Sequence, residues 1–380
     1  MTGEGGPARR RLRLAIYQDA VDLGGMEMSV ATLLRHLDPE VDVVLLGVDA
    51  RVTRWLATHR PTARVAVIPP VRSKRDIHPM LQHIRTVRRL RPDVLQVDLP
   101  MPWSGRYALL AGLLTPGTRV VAVDHTAVPP HNREVVWARR VLSAMTAADV
   151  SVSHGLAGFI EDVVKLRHGS VRVIYNGIQD LGPPPPRKSH DPPVVGTIGR
   201  LATQKGVDVF LQALTRIPHA AGVVVGDGQE RTALQELAAD LGIAERVTWT
   251  GWRDDARDLL HGFDVFALPS RWEGLGRVLV EAALAECPVV AARVPGTSET
   301  MEEGETGLLV PPDDPASLAQ AITSLLEDRE RAIGMGKRGR AFALRRFDPM
   351  TCAGAYGTLY EEVTRGRYQR GSGITTSPRR

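Results

Sequence analysis

Short runs of valine, isoleucine and leucine recur along most of this chain, each followed by a longer amphipathic stretch. In the first half the runs are Leu12–Tyr17, Val41–Leu46, Arg64–Ile68, Val94–Val97, Arg119–Val123, Asp149–Val152 and Val171–Ile174. They are nearly continuous in hydrophobicity, as expected of parallel strands covered on both faces. Between them Met26–His36, Pro79–Leu90, Arg133–Ala147 and Leu156–Val164 are predicted helices. In the first of these, Val30, Leu33, Leu34 and Leu37 return at helical spacing on one face. Such strand–helix alternation predicts a doubly wound α/β sheet.

The alternation breaks once. Leu181-Gly182 and the four prolines Pro183–Pro186, followed by Arg187–Pro193, can continue neither element, which predicts an interdomain linker over 181–193. A second set of strands then runs through Val194–Ile198, Ala221–Val225, Arg246–Thr250, Val265–Pro269, Val289–Ala291 and Gly307–Val310. Its helices include Val207–Arg216, Glu230–Leu241, Arg277–Ala285 and Pro315–Leu326. The expected organisation is a Rossmann-like domain over 1–180, a second over 194–347, and a last helix over 348–365 that packs across both. The Gly, Ser, Thr, Pro and Arg of 366–380 predict a disordered tail.

A length of 380 residues suits two domains. No apolar run approaches the ~20 residues that span a bilayer. The basic start is followed by an apolar stretch too short for a signal peptide, so a cytoplasmic protein is expected. Cys287 and Cys352 form neither a disulfide framework nor zinc spacing, and read as small buried hydrophobes. The net charge of +5 admits an anionic membrane surface or a phosphorylated small molecule as partner. Nucleic acid is disfavoured, because aromatics are only 5% of the chain and no zinc-finger or RNP-type motif is present.

Two such domains meeting at a cleft predict a ligand at the carboxyl ends of the strands. The densest candidate site follows the strand Val265–Pro269. A loop containing Glu273, Gly274, Leu275 and Gly276 opens a helix that carries Glu281. Its glycines let a ligand approach the backbone, and the free N–H groups of a helix start favour an anion such as pyrophosphate. The two carboxylates suit sugar hydroxyls rather than phosphate. Taken alone, the loop is equally compatible with an ordinary turn before a solvated helix.

The run from Glu273 to Glu281 (EGLGRVLVE) resembles the Glu-X7-Glu motif of retaining GT-B glycosyltransferases, in particular glycosyltransferase family 4. Gly199-Arg200-Leu201 with Gln204-Lys205-Gly206 resembles that family's G-R-L-x-x-x-K-G loop. Val225-Gly226-Asp227-Gly228, Asn176-Gly177-Ile178 and Gly304–Val310 resemble further family elements in the same order. The resemblance implies a GT-B fold, with an N-terminal acceptor domain facing a C-terminal donor domain across a cleft. It also implies roles. Arg200 and Lys205 neutralise the donor diphosphate, Glu281 holds the ribose and Glu273 the transferred sugar. Gly274, Leu275 and Gly276 offer backbone N–H groups, Gly199 belongs to the donor loop, and Gly226 lines the nucleotide pocket.

In the first domain, Gly24-Gly25-Met26-Glu27 resembles the family's G-G-x-E loop near the donor phosphates, which places Gly25 on the donor. Glu27 reads equally as a first-turn helix residue favoured by the macrodipole. His125 matches a family histidine that faces the transferred sugar, and Asp124 either orients it or binds acceptor. The remaining histidines lack metal-ligand spacing and no Asp-X-Asp pair occurs, so no metal is expected. No cofactor is implied beyond a nucleoside diphosphate sugar as co-substrate.

The function these resemblances imply is retaining transfer of a hexose-type sugar, with a UDP-sugar as the default donor, to an acceptor hydroxyl. A GDP-sugar stays open. The Arg/Ala/Pro-rich composition points to a high-GC bacterium, where small-molecule, natural-product and lipid-linked acceptors are all compatible. An epimerase or phosphorylase on the same fold, or a non-catalytic sugar-nucleotide-binding protein, are the alternatives. Arg85, Arg88, Arg89 and Arg91 are compatible with a peripheral membrane contact as well as with a solvated helix face.

Overall fold

The computed structural model describes residues 11–185 and 190–371. The first half contains β1 (Arg13–Gln18), α1 (Gly25–His36), β2 (Asp42–Gly47), α2 (Ala50–Ala57), β3 (Arg64–Val67), α3 (Ile77–Leu90), β4 (Val94–Leu99), α4 (Arg106–Leu113), β5 (Arg119–Asp124), α5 (Arg133–Met145), β6 (Ala148–Ser151), α6 (His154–Val164) and β7 (Arg172–Val173). The second half contains β8 (Val194–Ile198), α7 (Val207–Thr215), β9 (Ala221–Val225), α8 (Arg231–Asp240), β10 (Val247–Gly251), β11 (Val265–Leu268), α9 (Arg277–Leu284), β12 (Val289–Ala292), β13 (Leu308–Val310), α10 (Pro315–Glu327), α11 (Arg329–Arg346) and α12 (Pro349–Thr364).

Two parallel sheets result. The first has the order β3-β2-β1-β4-β5-β6-β7 and the second β10-β9-β8-β11-β12-β13. In each the order reverses beside the first strand of the domain, between β1 and β4 and between β8 and β11. Such a switch point leaves a crevice at the carboxyl ends of the strands.

Side-chain alternation along the strands sorts the first domain's core into two layers. Leu14 and Ile16 of β1 pack with Val30 and Leu34 of α1. Ala15 and Tyr17 pack on the other side with Val87 of α3 and Leu109 of α4. The last helix joins the first of these layers: Tyr356, Leu359, Tyr360 and Val363 of α12 are buried against β1, α1 and β4. Its bulk therefore completes the N-terminal core, where packing across both domains was expected. It is started by Asp348, whose side chain accepts from Thr351 N, with Pro349 in the first turn.

Within 366–371, expected to be disordered, two side chains are half-buried. Tyr368 sits against the α1/α12 layer, and the Arg370 guanidinium donates to the carbonyls of Ser143 and Thr146. The remainder of the expected tail, 372–380, and linker positions 186–189 lie outside the described residues. Both cysteines are buried, and neither is in a disulfide. Among the described residues no helix is long and apolar enough to cross a membrane.

Candidate active site

On the C-terminal side of the cleft, the loop after β8 packs on the loop after β11. Gly206 has φ +63°, and a Cβ there would collide with the Pro269 carbonyl oxygen. This close approach lets Arg271 N donate to Gln204 O at 2.8 Å and Gln204 Nε2 to Trp272 O at 3.0 Å. The Lys205 ammonium then reaches Glu273, with Nζ 2.5 Å from Oε1, and Ser270 Oγ donates to that same oxygen at 2.7 Å. Glu273 Oε2 is left without a bond to the protein among the described residues. Gly199 supports the stem of Lys205: an added Cβ would sit 3.3 Å from its carbons. Gly226, with φ +133°, has its own Cβ direction filled by the Gly199 carbonyl. Its missing side chain thus lets the loops after β8 and β9 come together.

Arg200 behaves differently from Lys205. It is exposed, and its guanidinium has no ion pair or hydrogen bond among the described residues. It reaches the opposite wall: a Cβ on Gly24, just before α1, would stand 3.7 Å from its Nη2.

Gly276 caps α9 with φ +78°, a left-handed conformation that only glycine adopts without strain. Leu275 is buried beneath it. One turn on, Arg277 Nε donates to Glu281 Oε1 at 2.9 Å, and Arg257 Nε stands 3.7 Å from that oxygen. Arg277 also spans the cleft, with Nη1 3.3 Å from Ser29 Oγ on α1. Burial holds the Arg277 guanidinium below the ordinary arginine range while Glu281 works the other way.

The N-terminal wall is built on one face of three adjacent strands. His125 follows β5, and its Nε2 lies 2.9 Å from Asp98 Oδ1 of β4. Gln96 donates through Nε2 to both Asp98 oxygens, at 3.1 and 3.2 Å, and accepts from the Tyr360 hydroxyl of α12 at 2.5 Å. Glu27, 4% exposed, accepts from Gly24 N at 2.8 Å and closes the first turn of α1. Burial pushes its carboxyl above the ordinary range and the Asp98 charge adds to this, while backbone N–H groups and His125 oppose it. A Cβ on Gly25 would meet nothing within 4 Å, so the backbone there faces open space.

Asp124 does neither of the things expected of it. It is fully buried on the opposite face of the sheet, with Oδ2 2.7 Å from Arg139 Nη2 of α5. Strand alternation explains this: neighbours on β5 point to opposite faces, so Asp124 cannot share His125's surroundings. Asp98, which sequence reasoning passed over, occupies the orienting position instead. The signal available was Gln96 and Asp98, two polar residues at a period of two in an otherwise apolar strand.

The walls meet through glycine. A Cβ on Gly274 would collide with the His125 carbonyl, and Ser153 Oγ donates to the Gly274 carbonyl. Glu299 of the second domain accepts from His154 N and Gly155 N at the start of α6, at 2.8 and 2.7 Å, and from the Tyr175 hydroxyl at 2.8 Å. None of these contacts had a sequence signature. Together the walls bring Arg200, Lys205, Glu273, Glu281 and His125 to one cleft and leave Asp124 outside it.

Residues 192–328 match the family described as glycosyl transferases group 1, and residues 23–180 match glycosyltransferase family 4. A Mycobacterium tuberculosis protein named GDP-mannose-dependent alpha-(1-6)-phosphatidylinositol monomannoside mannosyltransferase is 32% identical over 282 residues, covering 66% of this chain and 73% of that protein. The chain belongs to glycosyltransferase family 4.

A second family relative, the lipopolysaccharide core biosynthesis glycosyltransferase LpsE of Rhizobium meliloti, is 36% identical over 166 residues. That match covers 44% of this chain and about half, 49%, of the relative. Among solved structures, Anabaena HepE in complex with UDP-glucose superposes with a TM-score of 0.80 at 22% identity, over 93% of this chain and all of that one. As a family 4 glycosyltransferase the protein has the GT-B architecture, two Rossmann-like domains facing each other across a cleft.

Proposed function

We propose that this glycosyltransferase transfers a hexose-type sugar from a nucleoside diphosphate sugar to an acceptor hydroxyl with retention of anomeric configuration, without a metal, in bacterial glycoconjugate or natural-product biosynthesis. One observation carries the reading. Lys205 and Arg200, whose guanidinium has no partner among the described residues, stand on one loop, beside the start of α9 and across from the start of α1. A diphosphate placed there meets two cations and the positive ends of two helices. Among the described residues the protein bonds only the Oε1 atoms of Glu273 and Glu281, which leaves Oε2 of the first for the transferred hexose and Oε2 of the second for the ribose.

In this reading the acceptor oxygen bonds to the anomeric carbon while the bond from that carbon to the diphosphate oxygen breaks. The departing phosphate oxygen takes the acceptor's proton, and Arg200 and Lys205 stabilise the charge that develops on it. The backbone N–H groups of Gly274, Leu275 and Gly276 act on the same group. Asp98 accepts from His125 Nε2–H, which leaves Nδ1 to accept from a hydroxyl of the transferred sugar.

Uridine is our first reading for the donor base. The mycobacterial relative, named for GDP-mannose, favours guanosine as the second. A thermal-shift screen of UDP, GDP, ADP and TDP identifies the base, followed by mass spectrometry with the matching sugar nucleotides, candidate acceptors and EDTA. Acceptor-dependent release of nucleoside diphosphate, undiminished by EDTA, is the expected result. Stabilisation by none of the four sinks the reading, and release without acceptor redirects it to epimerisation or hydrolysis.

A further inference from the structure

We propose that the outer face of α3, α4 and α5 lies on an anionic membrane surface. The inner sides of these helices bury Val87, Ala108 and Leu109 against the first sheet, with half-buried Leu142 packed beside them. The outer sides of such amphipathic helices are normally polar. Here they carry Ile77 and Leu81 on α3, Leu110 and Leu114 on and just after α4, and Trp137, Val141 and Met145 on α5, all exposed. Within each helix these residues are four apart, so each set forms one outward stripe. Trp137 is 68% exposed and Met145 58%. Single exposed apolar residues need no explanation, but three stripes on one contiguous layer do.

The stripes are held side by side. Arg88 of α3 donates through Nη2 to the Leu114 carbonyl at 3.0 Å, tying the end of α3 to the end of α4. Lys74, ahead of α3, stands 4.0 Å from Glu134 in the first turn of α5. Around them the charge is one-sided. Between residues 72 and 91 seven Lys and Arg face a single acid, Asp76. Exposed Arg133 and Arg140 continue the basic surround on α5.

This charge chooses the occupant. A second copy of the chain would bring two strongly basic faces together, whereas an anionic lipid surface matches the arginines and accepts the apolar stripes at its headgroup boundary. The placement also has a use. The helices run antiparallel to the strands, so their N-terminal ends lie at the carboxyl edge of the sheet. Residues 126–132 alone separate His125 from Arg133. A face resting on lipid therefore holds the acceptor side of the cleft close to that surface. The proposal does not depend on the glycosyltransfer reading, since vesicle binding needs no donor.

The test is co-sedimentation of the full chain with phosphatidylcholine vesicles, with and without about a third phosphatidylglycerol. Retention on the anionic vesicles alone, reduced at least tenfold by high salt, is the expected result. Trp137→Glu with Met145→Glu, and separately Arg85→Glu with Arg89→Glu, should each abolish it without changing the melting temperature, because all four side chains are exposed. Trp137 emission should shift to the blue on binding. Equal retention on both vesicle types, no retention, or retention by both double variants would overturn the proposal. So would a lipid-free dimer that the Trp137 variant dissociates, which would assign the face to a second copy.

Discussion

Asp98 Oδ1 lies 2.9 Å from His125 Nε2, with the two side chains only 1% and 6% exposed. The pair is fixed from behind by Gln96, which is itself held by Tyr360 of the last helix. An imidazole tied by one nitrogen to a carboxylate has a defined tautomer and orientation, so its other nitrogen presents one fixed hydrogen-bonding character. Asp98→Asn keeps the shape and removes the charge. Loss of a charge-assisted hydrogen bond of this kind costs about 1.5–3 kcal/mol, or roughly tenfold to a hundredfold in turnover. The fall should appear in kcat with little change in the donor KM, and Tyr360→Phe should give a smaller fall in the same direction. Parent rates in Asp98→Asn would remove His125 from the reaction.

Arg200 and Lys205 differ in a way that separates their variants. If both stabilise the departing diphosphate, Arg200→Ala and Lys205→Ala each lower turnover by about two to three orders of magnitude. Arg200 has no protein partner among the described residues, so its variant should melt with the parent. Lys205→Ala leaves the buried Glu273 carboxylate with Ser270 alone, which should lower stability by about 1–3 kcal/mol. Urea unfolding beside the transfer assay checks both. A normal rate in either variant would detach that cation from the chemistry.

The parts legible in the sequence were those carried by local pattern. Buried parallel strands write themselves as apolar runs, so the strands of both sheets could be read, and the glycine loop before α9 marked a helix start. The motif from Glu273 to Glu281 pointed to Arg277 only as a helix residue, although in the fold it bonds to Glu281 and reaches Ser29. What escaped was set by contacts distant in sequence. Asp98 meets His125 across 27 positions and Tyr360 meets Gln96 across 264. The face a strand residue takes decided the rest, because Asp124 and His125 are neighbours that point apart. The last helix also escaped: its apolar residues do not say which domain they enter.

Gly274 gives a test of how closely the two walls must meet. Its Cα lies against the His125 carbonyl, and its own carbonyl accepts from Ser153. Gly274→Ala adds a single methyl group on the His125 oxygen, which forces the β11–α9 loop and the β5 end apart. A displacement of about 1 Å between reacting groups is enough to lower a rate by about two orders of magnitude. Turnover should fall by that order, while the nucleoside diphosphate still raises the melting temperature, because Arg200 and Lys205 stand on the loop after β8 and not on the displaced one. An alanine variant with parent turnover would show that the His125–Gly274 approach is dispensable.

The cluster around Arg139 should make stability fall as pH rises through the weakly acid range. Arg139 Nη2 stands 2.7 Å from Asp124 and 3.0 Å from Asp149 there, and Arg370 Nη2 is 3.7 Å from the other Asp149 oxygen. Burial pushes the Asp124 carboxyl up to about 6, with Arg139 opposing the shift and Asp149 adding to it. In the unfolded chain the same group titrates near ~3.9. Between those values the folded state holds the extra proton, so deprotonation removes stability as pH rises from about 4 to 6, by up to about 3 kcal/mol. Asp124→Asn takes the titration away and leaves Asp149 with Arg139 and Arg370. Relative to the parent, the variant should therefore gain stability from pH 4 to pH 7, measured by urea unfolding at each pH. A stability difference that stays constant with pH would mean that Asp124 is ionised throughout and that Arg139 compensates both acids.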